Sequence, residues 1–149
     1  MPASIEVYSP MSAYNGAINK LEKNGIRATK QRRVLAKLIF DKGKRHISAE
    51  NLFDEVKKEE RKISMATIYN TLKQFTNLGL IREIVVDQNK ALYCNNNKSH
   101  YHVYIEDEGK LIDIPTKNID LDIPSIPACL KLHDIDVIVR IRTLKDKKS

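Results

Sequence analysis

The sequence is poor in cysteine and in long apolar stretches, and each deficit excludes a class of protein. The 149 residues contain only two cysteines, Cys94 and Cys129, too few for a disulfide scaffold or a four-cysteine zinc site. No apolar stretch approaches the roughly 20 residues of a membrane-spanning helix. Residues 1–9 lack the basic start and apolar segment of a signal peptide. We therefore expect a protein of the reducing cytoplasm, with no membrane partner.

The sequence also lacks the motifs of the common enzyme classes. It contains no glycine-rich phosphate loop, no nucleophile elbow and no metalloprotease helix motif. The adjacent carboxylates Glu59 and Glu60 lie among lysines, which is typical of a solvated surface. The expectation is that the protein is not an enzyme.

Positive charge is confined to the first part of the chain. Residues 1–93 hold 17 Lys and Arg against 10 Asp and Glu, whereas residues 94–149 hold 9 of each. The whole formal charge of +7 therefore belongs to the first part. A basic unit followed by a neutral one is typical of a polyanion-binding domain joined to a second domain.

Residues 63–80 predict the helix around which the first part is organised. Ser64 is a suitable N-cap, and Gly79 suits the left-handed residue that ends a helix. Apolar residues recur between them at spacings of three and four, which predicts one buried stripe. The stripe consists of Met65, Ile68, Leu72 and Phe75, with Gly79 at its end.

The opposite face of this helix is polar and has no acidic residue. It carries Ala66, Thr67, Asn70, Lys73, Gln74 and Asn77, with Tyr69 on its flank. Hydroxyl, amide and ammonium groups are the types that contact bases and phosphates in a DNA major groove. An ordinary solvated helix is the alternative, but such helices usually mix both charge signs. We therefore predict a recognition helix.

The elements around this helix predict a winged-helix domain. Helices are expected at residues 12–24, at 30–40 behind the N-cap Thr29, and at 48–60 behind the N-cap Ser48. Residues 80–86 and 91–93 predict two strands joined by a turn, the wing, with Lys90 at its tip. Lysines and arginines beside the helix-turn-helix connection add positive charge; they are Lys57, Lys58, Arg61 and Lys62.

The last third of the chain predicts a smaller α/β domain. The polar stretch 95–99 marks a boundary, and we assign residues 1–93 to the winged helix, 94–99 to a hinge and 100–149 to the second domain. Strands are expected at 101–106, 110–114 and 134–142, and a frayed tail at 145–149. Two prolines limit any helix between 116 and 132 to a short one. Such a small core favours pairing with a second copy.

Histidines supply the chemistry of the second domain. On a strand, His100 and His102 point to the same face, and Asp113 on the next strand adds an oxygen. Two imidazoles and a carboxylate suit a divalent first-row metal. Two solvated histidines on a surface strand are an equally good interpretation of the His-x-His pair. By itself, His46 is typical of a loop residue before the third helix.

Four segments together resemble the ferric uptake regulator (Fur) superfamily over roughly residues 15–142. The segments are residues 29–32 (TKQR), 46–50 (HISAE), 64–72 (SMATIYNTL) and 100–102 (HYH). Within the superfamily the sequence looks most like the iron-response regulator (Irr) branch, with the peroxide-sensing PerR branch second. The resemblance implies an N-terminal winged helix and a C-terminal α/β dimerisation domain. It implies a repressor of iron, haem or oxidative-stress genes.

The resemblance also implies a regulatory metal site. Its ligands fall on His46, His100, His102 and Asp113, and the position of a fifth, normally Asp or Glu, falls on Cys94. Either a thiolate joins the site, or Cys94 is a small buried residue and the site has four protein ligands; we favour the second. The implied cofactor is iron, manganese or zinc, or haem held by residues 100–102 or a cysteine.

The resemblance places DNA contacts on the basic first domain. Groove contacts are expected from Thr67, Tyr69, Asn70 and Lys73, and phosphate contacts from Lys20, Arg32, Arg33 and Lys90. Ser64 is also expected among the DNA-binding residues. The implied partner is an A·T-rich palindromic operator bound by a homodimer. A metal- or haem-storage protein and an RNA-binding winged helix are the alternatives.

Overall fold

The computed structural model describes residues 10–144, so the predictions for residues 1–9 and for the tail 145–149 lie outside the described residues. The chain divides into two compact units, Met1–Asn97 and Lys98–Ser149. The division falls inside the stretch that we predict to be the hinge. Among the described residues, no helix is both long and apolar enough to cross a bilayer.

The first unit is a winged helix-turn-helix, as predicted. Its helices are α1 (Pro10–Lys23), α2 (Lys30–Phe40), α3 (Ala49–Lys58) and α4 (Met65–Asn77). Its strands are β1 (His46–Ile47), β2 (Arg82–Asp87) and β3 (Lys90–Cys94), which form an antiparallel sheet in the order β1-β3-β2. The hairpin of β2 and β3 is the wing.

Side-chain hydroxyls cap three of the helices at the predicted positions. The Thr29 hydroxyl accepts from the Arg32 amide at the start of α2, and the Ser64 hydroxyl accepts from Thr67 at the start of α4. Ser48 accepts from the Asn51 amide, while the Asn51 side chain accepts from the Ser48 amide. Each bond satisfies a backbone N–H that the helix leaves unpaired.

The buried stripe of α4 forms the middle of the first unit's core. Ile68, Leu72 and Phe75 are fully buried and belong to one cluster with apolar residues of the other three helices. Met65 is only half-buried. The pattern missed Thr71, which is buried because its hydroxyl donates to the Thr67 carbonyl and needs no outside partner.

The sequence around His46 suggests a loop, but His46 does not lie in one. It lies in the two-residue strand β1, which pairs with the last residues of β3, His46 opposite Cys94 and Ile47 opposite Tyr93. A strand this short has no detectable alternation, and its pairing depends on residues almost fifty positions away. Local sequence patterns therefore could not reveal it.

The second unit is built on one three-stranded sheet. Its strands are β4 (Tyr101–Ile105), β5 (Lys110–Ile114) and β6 (Ile138–Ile141) in the order β5-β4-β6. β5 is antiparallel to β4, and β6 is parallel to it. The proline-containing segment holds one 3₁₀ turn, Thr116–Asn118, in agreement with the prediction that any helix there is short.

The second unit leaves many large apolar side chains exposed. They include Leu121, Ile123, Ile126, Leu130, Leu132 and Val139. Its fully buried apolar side chains are few, because about fifty residues cannot enclose a large core. This surface is consistent with the predicted pairing to a second copy.

A strained residue connects the two helices of the helix-turn-helix. After α3 the amides of Glu60 and Arg61 bond back to the Lys57 and Val56 carbonyls, which requires Glu60 to adopt φ +56°. The equivalent position after α4 is Gly79, with φ +72°. A side chain at positive φ is disfavoured by a clash between its Cβ and the backbone.

We predict that Glu60→Gly stabilises the first unit by about 1 kcal/mol, because it relieves this strain. Urea denaturation of the full chain measures the change. The control is Glu59→Gly at the neighbouring residue, whose φ of −87° is comfortable for any side chain. That variant should lose about 0.5–1 kcal/mol. Equal losses of unfolding free energy in both variants would contradict the interpretation that Glu60 is strained.

Candidate metal centre and nucleic-acid interface

Three ligand atoms of the second unit converge on one point. The Nε2 atoms of His100 and His102 are 2.9 Å apart, and they lie 3.3 and 3.2 Å from the Asp113 Oδ1. The register of β4 and β5 causes this convergence, since His102 lies directly opposite Asp113. Both imidazoles are buried, at 7% and 2% exposure. The alternative of two solvated histidines is therefore wrong.

The orientation of His100 suits metal binding. Its Nδ1 lies 2.5 Å from the carbonyl oxygen of Lys98. Because a carbonyl can only accept, Nδ1 carries the proton and the Nε2 of the neutral ring keeps its lone pair. Fixing the tautomer of a ligand histidine through its other nitrogen is the usual arrangement in metalloproteins.

The spacing of the three atoms also fits a metal. Ligands bound at about 2.0–2.2 Å in tetrahedral or octahedral geometry lie about 2.8–3.6 Å from one another. The observed separations of 2.9–3.3 Å lie within that range. Without a metal, two facing imidazole nitrogens need a shared proton, which metal binding displaces. Two nitrogens and one carboxylate oxygen suit zinc, iron or manganese.

The first unit contributes a separate pair of donors. His46 and Cys94 are directly opposite each other on β1 and β3, so both side chains lie on the same face of that sheet. Cys94 is 1% exposed, and its sulfur lies 4.0 Å from the Asn96 carbonyl oxygen. Its burial is consistent with either role considered for Cys94, a ligand or a packed thiol.

A polar framework fixes the chain on both sides of this pair. The Asn95 amide donates to the Ile39 and Gly43 carbonyls at 2.8 and 2.7 Å, and its oxygen accepts from the Arg45 amide at 2.7 Å. The Arg45 guanidinium donates to both carboxylate oxygens of Glu55 at 2.9 and 3.1 Å. The residues just before His46 and just after Cys94 are thus held in place.

The Glu55 carboxylate at the centre of this framework is ionised. Burial opposes its charge, but hydrogen bonds from Arg45 and Lys42 outweigh burial and hold the pKa of Glu55 below its usual value. The ion pair is therefore present at neutral pH, and acid removes it.

The polar face of α4 is open to solvent. Ser64, Asn70 and Lys73 are exposed, and Tyr69 is 46% exposed. Thr67 is half-buried because its hydroxyl lies 2.9 Å from that of Ser64 at the helix start. The surface predicted for groove contacts therefore exists as a continuous helical face.

The predicted phosphate contacts differ in their surroundings. Lys20, Lys90 and Arg33 are exposed, and Arg33 forms a loose ion pair with Glu22 at 3.4 Å. Arg32 is half-buried, donating to Gln74 Oε1 at 3.1 Å and to the Arg27 carbonyl at 2.6 Å. Arg32 therefore also ties α2 to α4, a role that the sequence pattern did not reveal.

An acidic group that the sequence patterns do not reveal lies beside the α4 surface. Glu50, near the start of α3, accepts a 3.0 Å hydrogen bond from the Tyr69 hydroxyl. This bond raises the pKa of Tyr69 above its ordinary value. No local pattern reports the contact, because the two residues are on different helices.

A profile described as the ferric uptake regulator family matches residues 23–140. The chain belongs to the ferric uptake regulator family. A peroxide-responsive repressor PerR from Staphylococcus saprophyticus is 30% identical over 104 residues, which cover 70% of each chain. A second PerR, from Staphylococcus aureus, is 29% identical over 110 residues, and the comparisons do not support the Irr branch.

Solved structures show the same fold. The ferric uptake regulator of Pseudomonas aeruginosa, determined with manganese, superposes with a TM-score of 0.66 at 22% identity, covering 85% of this chain and 97% of its own. The Fur protein of Helicobacter pylori gives 0.67 at 17% identity, with coverage of 95% and 97%. The expected architecture of winged helix plus α/β dimerisation domain is thereby confirmed.

Family membership settles the class of activity. Members of the Fur family are metal-dependent transcription regulators that bind operator DNA as dimers, and they are not enzymes. The predictions of a DNA-binding regulator and of no catalytic function are confirmed. Metals bound in the family include manganese and zinc, and nothing in the comparisons supports haem.

We predict that Glu55→Gln destabilises the chain by about 1–2 kcal/mol near pH 7, because the bidentate ion pair with Arg45 is lost. A lowered carboxyl pKa stabilises the fold above the ordinary pKa of about 4.3, and this contribution disappears as the pH falls through the lowered value. Chemical unfolding at several pH values should therefore show a stability difference between the two proteins that shrinks as the pH falls below the ordinary carboxyl pKa. The exposed Glu59→Gln serves as control and should change little at any pH.

Proposed function

We propose that this regulator is a repressor whose DNA affinity depends on one divalent ion, held by His46 of the first unit and by His100, His102 and Asp113 of the second. The observation that carries the proposal is the convergence of the two Nε2 atoms and the Asp113 Oδ1 within 2.9–3.3 Å. These atoms satisfy only part of a coordination shell. His46, with its donor atom in the other unit, is the family-implied partner that completes it.

The chemistry of the donors selects the ligand. Imidazole and carboxylate suit Mn²⁺, Fe²⁺ and Zn²⁺, and we propose a simple ion rather than haem. Two imidazoles whose Nε2 atoms face each other while almost fully buried leave no open side for a porphyrin. Cys94 is proposed to be a packed thiol rather than a ligand, in keeping with its 1% exposure.

An ion held by His46, His100, His102 and Asp113 would link donors that belong to two units joined near residues 94–99. The residues of the chain position the donor side chains. Asn95 and Arg45 keep His46 in a fixed position within the first unit, and Lys98 orients His100 in the second. When both donor sets are engaged, fewer relative arrangements of the units remain, and the population shifts towards those that fit DNA.

The DNA contacts are proposed as follows. The α4 face places Thr67, Tyr69, Asn70 and Lys73 in the major groove with Ser64 at its start, while Lys20, Arg32, Arg33 and Lys90 contact phosphates. In a homodimer the two α4 helices would meet half-sites about 34–36 Å apart, which predicts a palindromic, A·T-rich operator. Because the PerR relatives are peroxide-responsive repressors, the proposed targets are peroxide-defence genes. The proposed location of the protein is the cytoplasm.

We predict that His102→Ala lowers the affinity of the full chain for Mn²⁺ or Zn²⁺ at least tenfold, because one of three converging donors is lost. His46→Ala should leave substantial binding by the second unit but abolish the effect of metal on DNA affinity. Calorimetry gives metal affinity, and fluorescence anisotropy with a labelled duplex gives DNA affinity.

The control for this experiment is His133→Ala, an exposed histidine of the second unit outside the converging donors. It should change neither quantity. A metal response retained in His46→Ala would contradict the linking role. Metal binding without any DNA binding by the unaltered protein would favour a storage protein, and a preference for RNA hairpins would favour an RNA-binding winged helix.

We further predict that Arg33→Ala weakens binding to all duplexes alike and makes the salt dependence shallower by about one, as expected for one lost phosphate contact. Tyr69→Ala should instead weaken binding mainly to the preferred duplex. Lys110→Ala, which removes an exposed cation from the second unit, is the charge-matched control. An unchanged salt slope in Arg33→Ala would exclude its phosphate role.

A further inference from the structure

The Glu50–Tyr69 pair is unexpected on a surface that must approach DNA. The first 93 residues carry an excess of seven positive charges, yet a carboxylate lies beside the exposed tyrosine of α4. A carboxylate near phosphates is repelled by them and weakens binding to every duplex. A group that lowers general affinity at this position needs another role.

Fold stability does not explain the pair. Both Glu50 and Tyr69 are exposed, and a hydrogen bond between exposed side chains contributes little to folding. The first turn of α3 does favour a carboxylate through the helix dipole. That effect, however, involves only α3 and does not require contact with a residue of α4.

The geometry instead restricts the tyrosine. The Tyr69 hydroxyl oxygen lies on the long axis of the ring. Its 3.0 Å hydrogen bond to Glu50 therefore fixes the direction in which the side chain extends from α4. Ordering a side chain before binding removes a cost of about 0.5–1.5 kcal/mol from the binding step. The Tyr69 hydroxyl is the donor, and its hydrogen bond to Glu50 raises the pKa of Tyr69 above its ordinary value.

A second tyrosine and carboxylate lie in the wing of the same unit. The Tyr93 hydroxyl is 3.4 Å from Glu83 Oε2, across neighbouring strands. Burial raises the pKa of Tyr93 to about 12, and the charge of Glu83 and, more weakly, Tyr69 and Glu50 add to the shift.

We propose that Glu50 is a specificity-determining positioning residue, which fixes the Tyr69 ring for contact with a base edge such as a thymine methyl and disfavours duplexes that offer no such contact. The proposal rests on the proposed DNA-binding function. In this proposal the Glu50 carboxylate has two different effects on DNA binding. The hydrogen bond strengthens binding to the preferred sequence, and the negative charge weakens binding to all sequences.

The test uses the full chain with Mn²⁺ and two probes: the duplex that this protein enriches from a randomised library, and a shuffled duplex of the same composition. Tyr69→Phe removes the hydroxyl, Glu50→Ala removes acceptor and charge, and Glu50→Gln keeps an acceptor without charge. The measured quantity is the ratio of the two affinities. Asp54→Ala, which removes another exposed carboxylate of α3, is the charge control.

We expect Tyr69→Phe and Glu50→Ala each to lower the affinity ratio by about threefold to tenfold, the range for ordering one side chain. The double variant should be no worse than either single one, because both remove the same hydrogen bond. Glu50→Gln should keep the ratio within about twofold while binding both duplexes more tightly. Asp54→Ala should leave the ratio unchanged.

Two results would overturn the proposal. One is an unchanged ratio in Glu50→Ala while the unaltered protein still discriminates the duplexes, which leaves the DNA-binding function intact. The other is additivity of the two single substitutions, which would mean that Glu50 and Tyr69 act independently. If the unaltered protein shows no preference between the duplexes, the proposed function fails as well, and the outcomes are thus distinguishable.

Discussion

The pairing of β4 with β5 is the constraint on which the candidate metal centre depends. It places His102 opposite Asp113, and the alternation of β4 places His100 on the same face two residues away. A shift by one residue would turn the aspartate to the other face and separate the donors. The turn at residues 107–109 therefore matters to chemistry, since its length fixes the register of the two strands.

The first unit holds the helix α4, which has one exposed polar face, firmly in place. The α4 stripe supplies most of this rigidity through burial, and Arg32 adds a polar tie to Gln74. Because this support comes from the buried stripe and from one polar tie, Asn70 and Lys73 on the opposite face remain exposed to solvent. Recognition on a rigid element loses less entropy on binding than recognition by a loop.

Much of this molecule could be predicted from the sequence, for identifiable reasons. The helices could be predicted because their apolar residues recur at spacings of three and four. Capping residues also mark their starts: Thr29, Ser48 and Ser64. The strands of the wing and the strands β4 and β5 could be predicted from local composition and turns. What could not be predicted depends on contacts between distant residues. The strand β1 exists only through β3, and the Glu50–Tyr69 bond joins two helices.

The candidate metal centre could also be predicted from the sequence only in part. The His-x-His spacing and Asp113 indicate a metal, but only the folded sheet shows that the imidazoles are buried and that the Lys98 carbonyl sets the His100 tautomer. The resemblance placed His46 among the ligands, while local patterns assigned it to a loop. Branch assignment failed for another reason, since relatives of one family share these motifs whatever signal they detect.

One strand of the first unit has a mechanical consequence. β3 begins at Lys90, at the tip of the wing, and ends at Cys94, opposite His46. Its five residues extend over about 14 Å between these ends, and a hydrogen-bonded strand neither stretches nor bends easily at that length. The same strand therefore connects the backbone beside a candidate metal ligand directly to a cation at the tip of the wing.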